Sequence, residues 1–396
     1  MATTPKALSP QAHPLRLEIF EPHPFLRRFR FMGHPRALGL TGLASLCLFL
    51  IAATLDGHLT QHSLLHVLCE DARSYLSAKP HFCKHYAFAS QMSALRDIPS
   101  LVVIVFLPTT IPLMYRQWTN ITSFLSAMDG RSILRIDDRQ RVNAEALACN
   151  RYFRKLGLWN PLVSLAALLC VLYVVRVQTA GHVYPSLHTS LSGVGIAPTD
   201  WWLSISGIGV AGLFYFLLGY AVVYIILLQT IHGSRVVLLV WRTRNHIAYE
   251  ADTSDSDGAL GWSEVRAILF ATWSLIMIHG LCLGLVALSL PKGHPATIVL
   301  APLLFQWLVV APIYLLVPGY ATRRNISAWK RTQRAKFRRD IAEAGTDAEV
   351  RALEHKLAKL KRVRVNPYAG VIGRGLHYIG IIATIVFVIQ IIGQIY

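Results

Sequence analysis

The sequence predicts an all-α polytopic membrane protein. It would have seven transmembrane helices, a cytoplasmic amino terminus, an extracytoplasmic carboxyl terminus and cytoplasmic helical extensions. Three observations carry that expectation. Charged residues make up 15% of the chain and mean hydropathy is +0.43, whereas a soluble domain carries roughly 25% charged residues. Seven apolar runs approach the ~20 residues that cross ~30 Å of hydrocarbon. Lys and Arg divide 31 to 6 between alternate connections, the asymmetry of a positive-inside topology.

The seven runs are Ala37–Leu55, Ile98–Tyr115, Leu156–Val175, Leu203–Gln229, Val265–Leu290, Thr297–Val317 and Gly370–Gly393. Pro108 and Pro112 interrupt the second, and Pro161 opens the third. Residues 1–36 read as a cytoplasmic basic tail, polar and Pro-rich, with no cleavable signal peptide. Residues 37–317 form a six-span bundle, with an outer cap over 56–97 and a cytoplasmic helix extension over 230–264. Residues 318–369 form a basic cytoplasmic hairpin, and 370–396 the last span. Topology accounts for the net charge of +18, so the expected partner is a lipid bilayer and not nucleic acid.

Two cytoplasmic helical regions follow from pattern. Between Leu203 and Tyr249 there is no Pro, and a helix of that length extends ~70 Å, past the hydrocarbon. "RRNISAWKRTQRAKFRRDIAEAG" continues the sixth span to Gly345, a helix stop. "TDAE" at Thr346–Glu349 is a capping box for "VRALEHKLAKLKRVR", which Asn366-Pro367 ends. This hairpin reads either as a packed bundle with a solvated basic face or as a seat for anionic lipid head groups.

The loop "DTSDSDGALGWSE", Asp252–Glu264, has two readings. With Thr253 at position 1 of a calcium loop, Asp255 falls at 3, Asp257 at 5, Gly258 at 6 and Glu264 at 12. Thr where Asp belongs weakens the site, because a hydroxyl is a neutral ligand. The other reading is a helix–turn–helix connection, with Asp257-Gly258 as its turn and its acids beside Arg242 and Arg244. Calcium is the cofactor this loop raises.

On the outer face, His58, His62 and His66 recur every four residues, and "HFCKH" adds His81, Cys83 and His85. Cys69 and Cys83 are candidates for a disulfide in an oxidising compartment. A metal site and a pH-responsive polar cap are the other readings. Cys47, Cys170 and Cys282 fall within spans and read as small core residues. Trp201 and Trp202 sit where an interfacial belt is expected.

Inside the spans no Asp or Glu lies well away from the ends, and Asp97 marks the outer edge of the second. Intramembrane acids usually accompany ion-coupled transport. No Walker A pattern and no nucleophile–base constellation is present, so the reading is not an enzyme. The pore or pocket candidates are Gln390, Thr384, His377, Arg374, Gln306 and His279. Thr272, Ser274, Tyr215 and Tyr220 add uncharged polarity suited to interhelical hydrogen bonds. Gly370, Gly373, Gly375 and Gly380 suit the last span to close packing.

Seven spans, an inside amino terminus and cytoplasmic extensions of spans four to six resemble the insect gustatory and odorant receptor superfamily. In "ATIVFVIQI", Ala383–Ile391, five apolar residues precede Gln390, as in that family's last-span signature. Ala383, Thr384 and Ile391 replace the signature's Thr, Tyr and Phe. The resemblance implies a ligand-gated cation channel, a homotetramer with its last span around a central pore. "DSDGALG" is also similar to a loop in uncharacterised bacterial polytopic proteins, which implies no function. The adiponectin-receptor-like hydrolases share the topology but need an HxxxH pair in the last span, where only His377 stands.

The function expected is therefore an integral channel or chemoreceptor-like protein, a homo-oligomer in the plasma or inner membrane that responds to a small-molecule ligand. A small-molecule transporter or flippase and a membrane-anchored sensor or scaffold are the alternatives.

Overall fold

The structure, a computed structural model, describes residues 15–34, 36–56, 59, 94–130, 134–136, 138–180, 209–249, 263–288 and 305–362. The expected last span at 370–393 lies outside the described residues. So do most of the outer cap and of the loop from Asp252, and the start of the sixth span.

Eight helices carry the described fold: α1 Arg36–Leu55, α2 Ile98–Phe106, α3 Thr110–Gly130, α4 Arg139–Ala180, α5 Val210–Thr243, α6 Ser263–Leu288, α7 Ala311–Glu343 and α8 Asp347–Arg362. Four stretches among the described residues are long and apolar enough to cross a membrane: α1, Ser100–Gly130, α5 and most of α6. A bent α4 makes a fifth. α3 lies along α6 and α4 along α5, the two most extensive helix pairs.

The surface shows where lipid belongs. Leu43 and Ile51 on α1, Leu162, Leu165 and Leu169 on α4, and Leu213 and Leu217 on α5 all point outward. Phe305, ahead of α7, and Ile313, Leu316 and Tyr320 on it do the same, Leu316 being 68% exposed. Past Tyr320 the exposed positions of α7 turn basic, with Arg323, Arg324, Arg331, Arg338 and Arg339. An outward apolar band ending in Arg is the pattern of a helix leaving hydrocarbon. Cys47 is exposed in that band rather than being a core residue, whereas Cys282 is buried and Cys170 half-buried.

Small residues and polar clamps hold the spans together. Gly42 lets α1 approach α2 so closely that a Cβ would stand 3.0 Å from the Val105 carbonyl. Ser45 Oγ donates to Ile104 O at 2.8 Å. Asp97 is fully buried and accepts from Ser100 N, capping α2. Asp56, at the end of α1, accepts from Val210 N at 3.0 Å and Ala211 N at 2.7 Å, and so caps α5. Gly209 makes room for it, since a Cβ there would lie 2.2 Å from the Asp56 carboxylate.

Helix ends differ from the predicted ones, each for a local reason. The second span does not stop at Tyr115; after a 3-10 turn at Leu107–Thr109 the helix continues to Gly130. The third does not begin at Leu156: α4 starts at Arg139 and bends by 62° between Gly157 and Trp159. Pro161 lacks an N–H and its ring crowds the carbonyl four residues earlier, at Gly157. The helix of the fourth predicted span, α5, ends at Thr243, not Tyr249. Arg244 lies over the Trp241 ring at 3.7 Å and donates to Trp241 O. The chain then turns, and β2 (Ile247–Tyr249) pairs antiparallel with β1 (Leu134–Ile136). β-branched and aromatic residues at 247 and 249 favour that pairing. α8 starts at Asp347, where Thr346 Oγ1 accepts from Glu349 N.

The amino-terminal segment is not simply a basic tail. Leu15, Leu17 and Ile19 are buried in the largest apolar cluster, with Trp118, Met128, Phe153 and Leu228. Arg16 between them is exposed, the alternation of an extended strand against a core. Leu17 N donates to Thr122 O, Asn150 Oδ1 accepts from Glu18 N, and Asn150 Nδ2 donates to Arg16 O. Arg154 grips the Glu18 carboxylate with two bonds of 2.6 and 2.8 Å. The segment thus joins α3 to α4.

Replacing Leu17 by Ala should lower stability by about 2–5 kcal/mol, read as a fall in the thermal midpoint of detergent-solubilised protein. Arg16→Ala should change it little. Equal losses for the two would refute the alternation.

Candidate functional site: an apolar cavity beside a buried histidine pair

The α3–α6 and α4–α5 pairs do not fill the space between α3, α5, α6 and α7. A cavity of about 110 Å³ remains, lined mainly by apolar side chains, with Gln117, Gln229, Thr272, His279, Trp307 and Tyr314 among them. A second cavity of about 90 Å³ shares Ile121, Val236, Ile268 and Pro318 with it and runs on toward Arg244 and Asn325. The two chambers lie side by side, with these four residues common to both.

Most polar atoms of the first chamber are already satisfied. Gln117 Nε2 donates to Thr272 Oγ1 at 2.6 Å, and Thr272 Oγ1 donates to Ile268 O. Trp307 Nε1 donates to Ile276 O at 2.6 Å. Tyr314 Oη donates to Thr230 O at 2.6 Å and lies 2.9 Å from Ser234 Oγ. Two atoms are left over. Gln229 Nε2 and His279 Nε2 are enclosed, with no hydrogen-bond partner among the described residues. An unmet buried polar group costs ~1–3 kcal/mol, and both atoms lie in packed surroundings rather than on the open space.

Glycine shapes this wall. A Cβ on Gly280 would stand 2.2 Å from the Trp307 ring, so the indole lies directly on the α6 backbone. A Cβ on Gly233 would come within 3.2 Å of the Tyr314 ring.

Trp118 separates the chamber from a polar cluster on its far side. His23 Nε2 and His232 Nε2 face each other at 3.1 Å, both buried. His232 sits edge-on to Trp118 and Phe153, with ring centroids at 4.8 and 5.0 Å. Asn160 Nδ2 lies 3.4 Å from His23 Nδ1, and Asn160 Oδ1 accepts from Tyr224 Oη. That orientation of the amide makes His23 Nδ1 an acceptor. Neutral His23 then holds its proton on Nε2 and donates to His232 Nε2. His232 holds its own on Nδ1, which has no partner among the described residues. Burial pulls the His23 pKa down from 6.5 to about 4, which keeps the ring neutral and this chain intact at physiological pH.

The predicted site residues distribute unevenly over this geometry. His279 lines the chamber. The Gln306 backbone lies in a π-helical turn, Gln306–Val310, leading into α7. Gln390, Thr384, His377 and Arg374 lie outside the described residues, as do Asp255, Asp257, Cys69 and Cys83. Glu264 stands in the first turn of α6, where a carboxylate favours the helix dipole. Among the described residues no group of three or more His, Cys, Asp or Glu is placed to hold a metal.

His23, His232, Gln229 and Gln117 were not predicted. Gln229 carries the same signal that singles out Gln306, an amide in an apolar run. The histidine pair joins positions far apart in the chain, and no spacing rule reaches it.

No model of a known protein family, no curated protein and no solved structure matches this chain.

Two measurements test the site. His23 has a folded pKa below its unfolded value, so its contribution is whole above pH ~6.5. It is lost as pH falls toward 4, by about 3 kcal/mol at the limit. His23→Gln keeps a donor for His232 without titrating, so its thermal midpoint should fall less than the parent's between pH 7.5 and 5. Parallel profiles would contradict the assignment. Gly280→Ala should displace the Trp307 indole, cost ~1–3 kcal/mol and red-shift tryptophan emission. An unchanged spectrum and midpoint would place the ring elsewhere.

Proposed function

We propose that this protein is a multi-span receptor of the channel or chemoreceptor type, in the plasma or inner membrane, that recognises a small molecule in the cleft between α3, α5, α6 and α7. The observation that carries this reading is the chamber itself: a mainly apolar space with Gln117, Gln229, Thr272, His279 and Tyr314 in its lining. Ligand sites are concave and mostly apolar, with a few placed polar groups. A structural void would more often be dry and lined by carbon alone.

The orientation follows the 31-to-6 division of Lys and Arg. It places the amino terminus, the β1–β2 ribbon and the α7–α8 hairpin in the cytoplasm, with the hairpin's basic face toward anionic head groups. The resemblance to the insect receptor superfamily adds the expectation of a homo-oligomer with the last span at its axis. Ligand in the cleft would bear on α5 and α7 together, through Tyr314 and its bonds to Thr230 and Ser234.

Reconstituted in liposomes, the protein should assemble as an oligomer and pass cations, and Gln390→Leu should alter that flux. Leu283→Trp, which fills the chamber from α6, should abolish responses to added small molecules while leaving assembly unchanged. A stable monomer without flux would overturn the channel reading.

A further inference from the structure

The α7–α8 hairpin is divided by charge along its length, and the division selects its partner. Between Arg323 and Arg339, α7 carries eight cations and no acid. On α8, Lys356, Lys359 and Lys361 follow with no acid among them. Residues 340–354, the far ends of both helices and the turn between them, hold five acids and a single cation, Arg351. Lys330 Nζ donates to Lys361 O at 3.0 Å, so the basic part of α8 returns beside the basic part of α7. The half nearer the apolar band is therefore positive on both helices, and Asp340, Glu343, Asp347, Glu349 and Glu354 gather toward the tip.

The positive half also continues the outward apolar stripe of α7. Ile313, Leu316 and Tyr320 are exposed, and Arg323 and Arg324 are exposed three and four residues further on. Spacings of three and four keep all five on one face of the helix. The two arginines stand ~5 Å beyond Tyr320 along the axis, within the depth of a headgroup layer. Among the described residues no carboxylate pairs with either, whereas Arg139, Arg154 and Arg242 each have one. A guanidinium grips a phosphate through two parallel bonds.

The segregation separates the partners that such charge can meet. A second copy in the same membrane brings positive half to positive half, which repels. An acidic polypeptide lying along the hairpin would meet its own sign at the tip. A bilayer presents its anions at one level, that of Arg323 and Arg324, and its potential falls off within ~8–10 Å. The acids, ~24 Å or more further along the axis, stand outside that potential. We propose that an anionic phospholipid binds where α7 leaves the membrane, its acyl chain along Ile313, Leu316 and Tyr320 and its phosphate between Arg323 and Arg324. A choline headgroup is disfavoured, because its ammonium adds a cation to two that are already uncompensated. The proposal rests on the membrane topology of the reading above and not on its ligand cleft.

The test uses the full-length protein in nanodiscs of phosphatidylcholine and phosphatidylglycerol in equal parts, with the lipids retained on the protein counted by native mass spectrometry. A Lys or Arg near an anionic surface is worth about fivefold, so the parent protein should retain phosphatidylglycerol over phosphatidylcholine by about tenfold or more. Arg323→Gln combined with Arg324→Gln should remove most of that preference. The control, Arg338→Gln combined with Arg339→Gln, removes the same charge ~22 Å further along the helix and should leave the preference within about twofold of the parent's. Equal losses in the two double variants would overturn the site and leave a diffuse response to net charge. No preference in the parent protein would overturn it too, and saturable binding of polyglutamate in phosphatidylcholine nanodiscs would then assign the hairpin to an acidic polypeptide. Neither result touches the receptor reading, which stands or falls on flux and on the Leu283→Trp variant. All four substituted arginines are exposed, and the parent's own lipid preference decides the matter even where a variant does not fold.

Discussion

Trp118 is the point at which the described structure meets. Its indole is 1% exposed and packs in the cluster that buries Leu15, Leu17 and Ile19. One side faces the two histidines, at 4.8 Å from His232 and 5.8 Å from His23. The chamber lies on the other. Four parts of the chain meet around this ring: the amino-terminal segment through His23, α3 through its backbone, α5 through His232, and α4 one step removed, through Phe153 packed edge-on to His232. Aromatic side chains bury 150–250 Å² each, and no smaller residue would keep those four in register.

The second governing condition is the solvent. Within hydrocarbon, apolar side chains gain little by turning inward, so the interior is held by close approach and hydrogen bonds. The bundle follows this division. Its lipid-depth half shows Leu and Phe outward and closes on Gly42, Ser45, Asp97 and the Asp56 cap. Its other half has a conventional core, from Leu15 to Leu360, and ion pairs at its rim such as Arg242–Glu145 and Arg139–Asp129. The chamber sits where the two regimes meet. There neither hydrophobic collapse nor dense lipid-side packing compels the gap to close.

Much of the lipid-depth half was legible in the chain, because hydropathy is a one-dimensional signal. Run lengths placed α1 and α6 closely, and Thr346 marked the start of α8. Helix ends were less legible. The continuations of α3 and α4 beyond the apolar runs carry polar residues that a hydropathy window discards, and Pro161 bends a helix it was expected to begin. The burial alternation of the amino-terminal segment was written plainly in "LRLEI", with a period of two, yet net basicity and prolines dominated its reading. The site was least legible. His279 was found as a polar residue in a span. Its companion Gln229, Trp118 between chamber and histidines, and the pairing of residue 23 with residue 232 are three-dimensional facts.

The Asp56 carboxylate has a further consequence for assembly. It accepts from two peptide groups that open α5, so the end of α1 and the start of α5 must lie at the same level of the bundle. The contact acts as a depth gauge across an interval of more than a hundred and fifty residues. α1 is made first and waits. The third and fourth helices can tilt, bend or settle without disturbing that level, because only α5 reads it. Gly209 is the other half of the gauge: a side chain there would lift α5 off its reference mark, shifting Gln229, Tyr224 and His232 together. Distant chemistry in the cleft is thus calibrated by one short carboxylate at the rim.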